Sequence, residues 1–401
     1  HERRCPADGA LMDEIGEEVS EKLDVIPMQL KVIRTIRKKY ACKACQEGVK
    51  TAPSPPQAIP KSIASEGLLA AITTWKYCDH LPLYRQSQIF ARQGAEIDRS
   101  TLANWVGGAC WWLEPLQARL AEHVFASHKL FADDTPIPVL DPGRGRTKTG
   151  RLWVYARDDR PWSGADPPAA LYLYSPDRRA ERPAAHLARF RGIVQVDGYP
   201  GFERLGAGGD IQLAACWANV RRKFYEVHQA TGSPIAAEAL RHIGELYAIE
   251  TACRGQAAQA RRDMRQVRSL PLVGAMKGWL DIELARIAPR SGLADAIRYA
   301  LVRWGALGRF LDDGRIELDN NPVERAIRSV ALGRKNHLFA GSDGGANRWA
   351  TVCSLIATAK LNGVEPFAYL KGVLERLSNG HPMSRLDDLL PWNWAQASAS
   401  I

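Results

Sequence analysis

The chain has 401 residues, of which 46% are hydrophobic and 24% are charged, a composition typical of folded proteins with two to four domains. This composition excludes an intrinsically disordered or collagen-like chain, and no apolar stretch is long enough for a membrane span. Lysine and arginine exceed aspartate and glutamate by ten, and the pI is about 9.2, which favours a polyanionic partner such as nucleic acid.

The ends and the cysteines indicate the compartment. The first residues lack the apolar segment of a signal peptide and also lack Met, so we expect a processed or truncated chain without a secretory signal. The eight cysteines are mostly isolated, which predicts a reducing cytoplasm and one metal site rather than a disulfide framework.

Residues 1–50 are predicted to form a zinc-ribbon-like β module. The polar and apolar residues alternate from Leu30 to Tyr40, which indicates a β-ribbon with one basic face. Residues 51–64 are rich in proline and cannot pair in a sheet, so they are predicted to be a semi-rigid linker.

Within this module, cysteines supply part of a zinc site. A zinc ribbon needs four ligands, and Cys42 and Cys45 have the Cys-x-x-Cys spacing of one pair. The other pair begins with Cys5, but position 8 holds Asp8 instead of a second cysteine. Asp8 and His1 are the candidates for the fourth ligand, and a degenerate, empty site is the alternative. Any zinc bound here is expected to be structural.

Residues 65–126 have a helical pattern that suggests a DNA-binding element. One helical segment, Leu83 to Gln93, stops at Gly94, and the next begins at Asp98 or Ser100, both of which are good N-caps. A helix, a short glycine turn and a second helix are typical of a helix-turn-helix. A generic helical hairpin is the alternative.

Residues 127–228 contain short β-rich runs and are predicted to form an α/β domain with a mixed sheet. A helix is predicted between the third and fourth strands, from Arg182 to Phe190. The predicted strands are Lys129–Ala132, Leu152–Ala156, Ala170–Tyr174, Ile193–Val196 and Ile211–Ala215.

The rest of the chain is predicted to be mainly helical. Residues 229–311 have a helical pattern with a break at Ser269–Pro271. A helix begins at Asn320 within residues 312–362, and residues 363–401 form a C-terminal helical tail.

Three acidic positions are candidates for metal chemistry. Asp133 and its neighbour Asp134 directly follow the first predicted strand, Asp197 follows the fourth, and Glu324 lies in the first turn of the helix that begins at Asn320. Carboxylates from two strand ends and one helix are able to converge on a pair of Mg²⁺ ions, which activate the attacking oxygen and stabilise the leaving oxygen in phosphoryl transfer.

Each of these positions also has an ordinary structural interpretation. Asp134 and Asp197 occur in turn-like sequences, and the second of these is an Asp-Gly dipeptide. Glu324 fits a helix capping box and an ion pair with Arg328 four residues later.

The sequence around these positions resembles the transposases of the insertion-sequence-66 family, which belongs to the DDE superfamily. The resemblance covers nearly the whole chain, in order, and includes the closing Leu390–Trp394. The motifs that carry it are Ala132–Pro136, Asp141–Trp153, Gln195–Tyr199, Ala215–Phe224, Asp319–Arg325 and Leu332–Asn336.

The resemblance implies a multidomain α/β (α+β) chain with a ribonuclease-H-like catalytic domain. In it, Asp133, Asp197 and Glu324 bind two Mg²⁺ ions, with Mn²⁺ as a substitute, and Asp134 is the alternative for the first aspartate. Residues 229–311 become a helical insertion ahead of the catalytic helix. The implied activity is that of a DDE-type transposase, which binds transposon ends and catalyses metal-dependent DNA cleavage and strand transfer.

The resemblance also implies partners and a location. The partners are double-stranded DNA, further copies of the chain on that DNA, and small accessory proteins of the same element. No membrane partner is expected. The location is the cytoplasm, in association with the bacterial nucleoid.

One departure from the family pattern concerns activity. Relatives have Cys-Trp-Ala-His where this chain has Cys216-Trp-Ala-Asn219, and asparagine does not titrate near neutral pH as histidine does. The alternative function is therefore a catalytically inactive DNA-binding remnant of such a transposase. A zinc-ribbon transcription regulator is a third hypothesis, but it accounts only for the first 126 residues.

The candidate DNA-contacting residues are basic side chains on the ribbon, on a recognition helix from Arg99 to Trp105, on a predicted loop from Arg144 to Arg151, and after Glu324. Their charges would neutralise phosphates and give salt-dependent binding, while the helix-turn-helix would read base edges. A solvated basic surface is the alternative. The residues are Arg34, Arg37, Lys38, Lys39, Arg99, Arg146, Lys148, Arg325, Arg328, Arg334 and Lys335.

Overall fold

The computed structural model describes residues 3–25, 28–43, 48–141 and 143–398, and the chain divides into two compact units, residues 1–54 and 55–401. Among the helices in those ranges, none has both the length and the apolar character of a membrane span.

The first unit contains a short antiparallel ladder. Strand β1 (Lys39–Ala41) pairs with β2 (Val49–Thr51), and the Arg37 guanidinium donates to the carbonyl of Ala52 at 3.0 Å. The predicted ribbon from Leu30 to Tyr40 is wrong over its first nine residues, which form no strand. Alternation alone does not make a strand there, because the ladder stops where β2 ends.

The second unit is built from a five-stranded mixed sheet and many helices, as the predicted fold class requires. The strands are β3 (Lys129–Asp141), β4 (Arg146–Arg157), β5 (Ala169–Ser175), β6 (Gly192–Val196) and β7 (Ile211–Ala215). Their order is β5-β4-β3-β6-β7; β5, β4 and β3 are antiparallel neighbours, and β6 and β7 continue parallel to β3.

The helices flank and connect these strands. They are α1 (Glu66–Tyr77), α2 (Leu83–Arg92), α3 (Arg99–Phe125), α4 (Glu181–His186), α5 (Pro200–Glu203), α6 (Trp217–Thr231), α7 (Pro234–Cys253), α8 (Ala258–Arg286), α9 (Gly292–Val302), α10 (Trp304–Gly308), α11 (Asn321–His337), α12 (Asp343–Leu361), α13 (Pro366–Ser378) and α14 (Pro391–Ser398). Short 3₁₀ helices lie at Arg160–Trp162, Arg204–Gly208, Arg309–Leu311 and Met383–Leu389.

Strand β3 is three times longer than its prediction, and this moves the acidic pair. Asp133 and Asp134 lie inside β3 rather than after it, because β3 continues along β4 to Asp141 as a long hairpin. Strand β6 pairs only with the first three residues of β3, so Pro136 and Pro138 lie where β3 has become an edge strand. An edge tolerates proline because one side of the strand needs no N–H donor.

Two helix boundaries also differ from the predictions. Helix α8 continues through Pro271 without the predicted break, because buried residues recur on one face on both sides of the proline. These are Ser269, Val273, Met276 and Leu280. Helix α4 ends at His186, four residues before the predicted end at Phe190.

Helix α12 covers the edge of the sheet at β5. The hydroxyl of Ser354 accepts the N–H of Tyr172 at 2.9 Å, and the hydroxyl of Thr358 accepts the N–H of Ala170 at 3.1 Å. These side chains satisfy backbone donors that an open edge would leave to solvent or to another chain. The edge opposite β7 is therefore closed by a buried helix.

Candidate active site

Asp133 lies in the middle of the sheet and shares an electrostatic field with two acidic residues from other elements. Its carboxylate accepts the N–H of Asp134 at 2.7 Å. Burial is the main cause that raises the pKa of Asp133, to about 8; the charge of Asp197 adds to it, and the charges of Asp134 and Glu324 act in the same direction. The structure thus brings Asp197 and Glu324 into electrostatic range of Asp133.

Asp197 follows β6, and hydrogen bonds to its backbone carbonyl and to its carboxylate hold it in place. Its carbonyl oxygen accepts the amide of Asn219 on α6 at 3.1 Å and the hydroxyl of Tyr299 on α9 at 3.0 Å. Its carboxylate accepts the N–H of Tyr199 at 3.1 Å, which is possible because the chain turns at Gly198, where φ is +95°. The turn predicted for this Asp-Gly dipeptide is present, and it fixes the carboxylate.

Glu324 is placed by contacts made just before its helix. Gln195, fully buried on β6, donates to the carbonyls of Glu317 at 2.7 Å and Asp319 at 2.9 Å. The amide of Asn320 donates to the carbonyl of Ala132 at 3.2 Å, next to Asp133. The first turn of α11 therefore begins beside the two strands that carry the aspartates.

The ordinary interpretation of Glu324 finds no support in the described residues. Asn320, at the N-cap of α11, makes no side-chain capping bond, and no ion pair joins Glu324 to Arg328 in the part of the chain that the structure describes.

Asp134 is engaged in a buried ion-pair network. Its side chain has no exposed surface; one carboxylate oxygen accepts from Arg151 at 3.0 Å, and the other accepts two nitrogens of Arg178 at 3.0 and 2.8 Å. Successive side chains of a strand point to opposite faces, so Asp134 is directed away from Asp133. Arg178 also lies over the ring of Tyr199 at 3.8 Å.

The acidic group fits a hard divalent cation by its chemistry. Carboxylate oxygens are the ligands that Mg²⁺ prefers, and the largest influences on the pKa of Asp133 include no lysine or arginine. In the described residues, no three Asp, Glu, His or Cys side chains are arranged closely enough to enclose an ion. The three carboxylates are thus linked by charge rather than arranged as a closed cage.

Sequence reasoning missed the two amides that position these carboxylates, Gln195 and Asn320. Gln195 had a visible signal, since it is a polar residue inside the apolar run Ile193–Val196, and a buried polar group needs partners. Asn320 had no such signal, because its acceptor is distant in the sequence.

At the amino end, a tight turn brings two of the predicted zinc ligands together. The N–H of Cys5 donates to the carbonyl of Ala10 at 2.8 Å, and the N–H of Ala10 donates to the Asp8 carboxylate at 3.0 Å. The N–H of Ala10 and then the thiol of Cys5 lower the pKa of Asp8, so the thiol lies near the carboxylate. Cys42 is described, whereas Cys45 and His1 lie outside the described residues.

Some of the candidate DNA-contacting side chains are paired within the protein, and others are exposed. Lys148 is paired with Asp343 at 2.8 Å, and Arg334 donates to the carbonyl of Pro136, so both are engaged within the protein. Within the predicted recognition helix, which forms the start of α3, Trp105 is buried in the core. The predicted loop Arg144–Arg151 is mostly strand, since β4 begins at Arg146. The exposed candidates are Arg34, Arg37, Lys38, Lys39, Arg99, Arg146, Arg325, Arg328 and Lys335.

Comparison with known families agrees with this architecture. Residues 61–348 match the model described as Transposase IS66 family, residues 354–392 match the IS66 C-terminal element, and residues 2–46 match the zinc-finger binding domain of transposase IS66. The protein is thus of the transposase class. More particularly, the chain belongs to the IS66 family of transposases.

Relatives of similar sequence occur in Sinorhizobium fredii. The chain is 45% identical over 399 residues to the uncharacterized protein y4jD, with 98% of this chain and 78% of the relative covered. It is 44% identical over 402 residues to the uncharacterized protein y4qI, with 98% and 74% covered. These matches extend the resemblance over both units.

Proposed function

We propose that the chain is a DDE transposase that binds transposon ends and cleaves DNA with Asp133, Asp197 and Glu324. The observation that carries this proposal is the shared electrostatic field of three carboxylates that come from β3, the end of β6 and the first turn of α11. Such a group is costly for folding alone, because like charges repel, and it is what a divalent cation requires.

The sheet order supports a ribonuclease-H-like catalytic domain. Three antiparallel strands are followed by two strands parallel to β3, and the proposed aspartates lie on β3 and at the carboxyl end of its parallel neighbour β6. Residues 229–311 are then the helical insertion between the second aspartate and the glutamate. For the first aspartate we favour Asp133 over Asp134, because Arg151 and Arg178 already occupy both oxygens of Asp134.

The residues of the chain have distinct roles in this proposal. Two Mg²⁺ ions, or Mn²⁺ in their place, would be held by the three carboxylates and would supply activation of the attacking oxygen and stabilisation of the leaving oxygen. Asn219 and Tyr299 hold the backbone of Asp197, and Asn320 holds the start of α11 against β3. Asn219 thus acts through a hydrogen bond and not by titration.

Asp133 must give up a proton when a cation binds. With a pKa of about 8, its carboxyl group is mostly protonated at neutral pH while no cation is present. Ligand atoms must be deprotonated, so cation binding releases this proton. Exposed Arg325 and Arg328, on the same helix as Glu324, are proposed to contact the phosphates next to the cut.

Further parts of the proposal concern DNA recognition. A structural zinc ion would be held by Cys5, Asp8, Cys42 and Cys45; the tight turn that brings Cys5 and Asp8 together and the zinc-finger match support it. Helices α2 and α3, joined by the turn at Gly94, would form the helix-turn-helix, with Arg99 exposed at the start of α3. The partners would be double-stranded DNA, further copies of the chain and accessory proteins in the cytoplasm.

A nicking assay tests the catalytic assignment. The full chain is incubated with Mg²⁺ and a plasmid that carries both ends of the DNA element encoding it, and a gel shift measures binding separately. Asp133→Asn, Asp197→Asn and Glu324→Gln should each bind the DNA and fail to nick it. The control Asp281→Asn changes an exposed carboxylate on α8 and should nick normally.

Two results would contradict the proposal. If Asp197→Asn nicks as fast as the unmodified chain, the assignment of roles is wrong. If the unmodified chain shifts the DNA but leaves it intact with both Mg²⁺ and Mn²⁺, the chain is the inactive DNA-binding remnant.

A further inference from the structure

The chain makes a strained turn where α11 ends. Leu338 has φ 63° and ψ −49°, and the N–H of Phe339 donates to the carbonyl of His337 at 2.7 Å. This three-residue hydrogen bond defines a γ-turn of the rare, strained hand. A bulky non-glycine residue in this region is an outlier, and such outliers persist only where the surrounding structure imposes them.

The strained turn exposes two large apolar side chains. Leu338 is 64% exposed and Phe339 is 43% exposed. The residues on both sides are fixed: the ring of His337 is 2.7 Å from the carbonyl of Lys76 on α1, and Ala340 is bonded to both Pro138 and Leu140 of the β3–β4 hairpin at 2.9 and 2.8 Å. The pair Leu338–Phe339, which we call the apolar tip, is therefore held rigidly at the surface.

The apolar tip contributes little to folding. Its side chains are largely in water, so their burial adds little hydrophobic stabilisation, and the backbone at Leu338 costs free energy. Strain of this kind is found mostly at functional sites. The tip is therefore a candidate for contact with a ligand.

The surroundings of the tip are basic. Exposed Lys335 lies in the last turn of α11, and exposed Arg146 lies on the hairpin that pairs with Ala340. Two acidic residues that flank the tip are already paired, Asp343 with Lys148 at 2.8 Å and Asp141 with Arg144 at 3.3 Å. A rigid apolar tip in a basic surface complements DNA, in which stacked bases lie between phosphates.

We propose that Leu338 and Phe339 form a wedge that inserts between base pairs of the bound DNA and unstacks them. This inference rests on the proposed function, and it adds the position on the DNA at which the wedge acts. Leu338 follows Glu324 by fourteen residues, about 21 Å along a helix axis. At 3.4 Å per base pair, this length corresponds to at most about six base pairs, so the wedge acts within about six base pairs of the cleaved bond.

Fluorescence of 2-aminopurine tests the wedge, because this base brightens when it is unstacked. The full chain is bound, in the presence of Ca²⁺ in place of Mg²⁺, to duplexes that carry the element's end with 2-aminopurine at successive positions around the cleavage site. The unmodified chain should brighten a base within about six base pairs of that site. The double variant Leu338→Ala, Phe339→Ala should shift the DNA equally well without brightening it.

Three further variants keep the result interpretable. Leu338→Gly relieves the backbone strain, so it should fold at least as well and show a weaker signal. Phe339→Trp keeps an aromatic wedge and should preserve the signal. Val302→Ala truncates an apolar side chain that is 79% exposed on α9, outside the tip, and should behave like the unmodified chain.

The outcomes separate the wedge from the proposed function. If the unmodified chain nicks DNA but no position brightens, the wedge is wrong and the transposase proposal stands. If the double variant changes the sedimentation of the free protein and leaves the fluorescence unchanged, the tip is a contact between copies and the wedge is wrong. If the chain neither shifts nor nicks the DNA, both proposals fail together.

Discussion

Replacement of Asp133 by Asn should abolish cleavage and stabilise the protein. The pKa of Asp133 is raised to about 8, whereas an aspartate in the unfolded chain has a pKa of about 3.9. The native state therefore holds a proton that the unfolded state releases, and stability that is present below pH 4 is lost as the pH rises through 8. At pH 7 this cost has a ceiling of about 4 kcal/mol.

The measured gain should be smaller than this ceiling. Local relaxation and water reduce such costs, so we expect Asp133→Asn to raise the free energy of unfolding by about 1–3 kcal/mol at pH 7.5. Asparagine retains an oxygen that can accept the N–H of Asp134, so little else changes. The gain should shrink towards pH 4, where the carboxyl group of Asp133 becomes protonated in the unfolded state as well as in the native state.

Urea unfolding followed by tryptophan fluorescence, with EDTA present, measures this gain from pH 4.5 to 8. Asp134→Asn is the control on the next residue, because it breaks the buried pairs with Arg151 and Arg178 and should cost about 3–5 kcal/mol. An Asp133→Asn variant that is no more stable than the unmodified chain at pH 8 refutes the reasoning, since burial and the neighbouring charges would then not disfavour the ionised form of Asp133.

Further predictions concern the supports of the site and the basic residues. Gln195→Leu removes the bonds to Glu317 and Asp319 and should lower the free energy of unfolding by about 1–3 kcal/mol and slow nicking; unchanged values in both assays contradict the positioning role. Calorimetry should show tighter Mg²⁺ binding as the pH rises from 6 to 8, and Asp133→Asn should lose this dependence. Lys129, whose buried ammonium has no hydrogen-bond partner among the described residues, has a pKa lowered by burial to about 7, so stability should rise between pH 7 and 10. Lys129→Met should add about 1–3 kcal/mol at pH 7 and remove that slope, and a destabilised variant would exclude this explanation. Arg328→Gln should weaken DNA binding and reduce the slope of log affinity against log salt by about 1, in gel shifts at several salt concentrations.

Local patterns predicted the strands of the sheet where the strands are buried. Strand β7 has the predicted bounds, β5 is longer by one residue at each end, and β6 is longer by one residue at its start, because continuous apolar runs mark strands covered on both faces. Beyond the buried part, the β3–β4 hairpin was underpredicted, since Pro136 and Pro138 are tolerated only because that part of β3 is an edge.

Elsewhere, tertiary contacts override the structure that the local sequence pattern predicts. Residues 30–38 alternate as a strand does but find no partner, and Pro271 remains inside α8 because the helix packs on both sides of it. The three candidate carboxylates were chosen from motifs, and their placement depends on amides whose acceptors are 122 to 188 residues away in the sequence. Such long-range bonds leave no periodic trace in a sequence.

The two bonds to the Asp197 carbonyl have a mechanical consequence. One donor, Tyr299, belongs to the block of helices α7 to α10, whereas Asp133 and the start of α11 are fastened to the sheet itself. The block shares one hydrophobic core with strands β6 and β7, so the Tyr299 hydroxyl ties the position of Asp197 to the packing of the block. The position of Asp197 therefore depends on how α9 packs, whereas the start of α11 depends on the bond from Asn320 to β3.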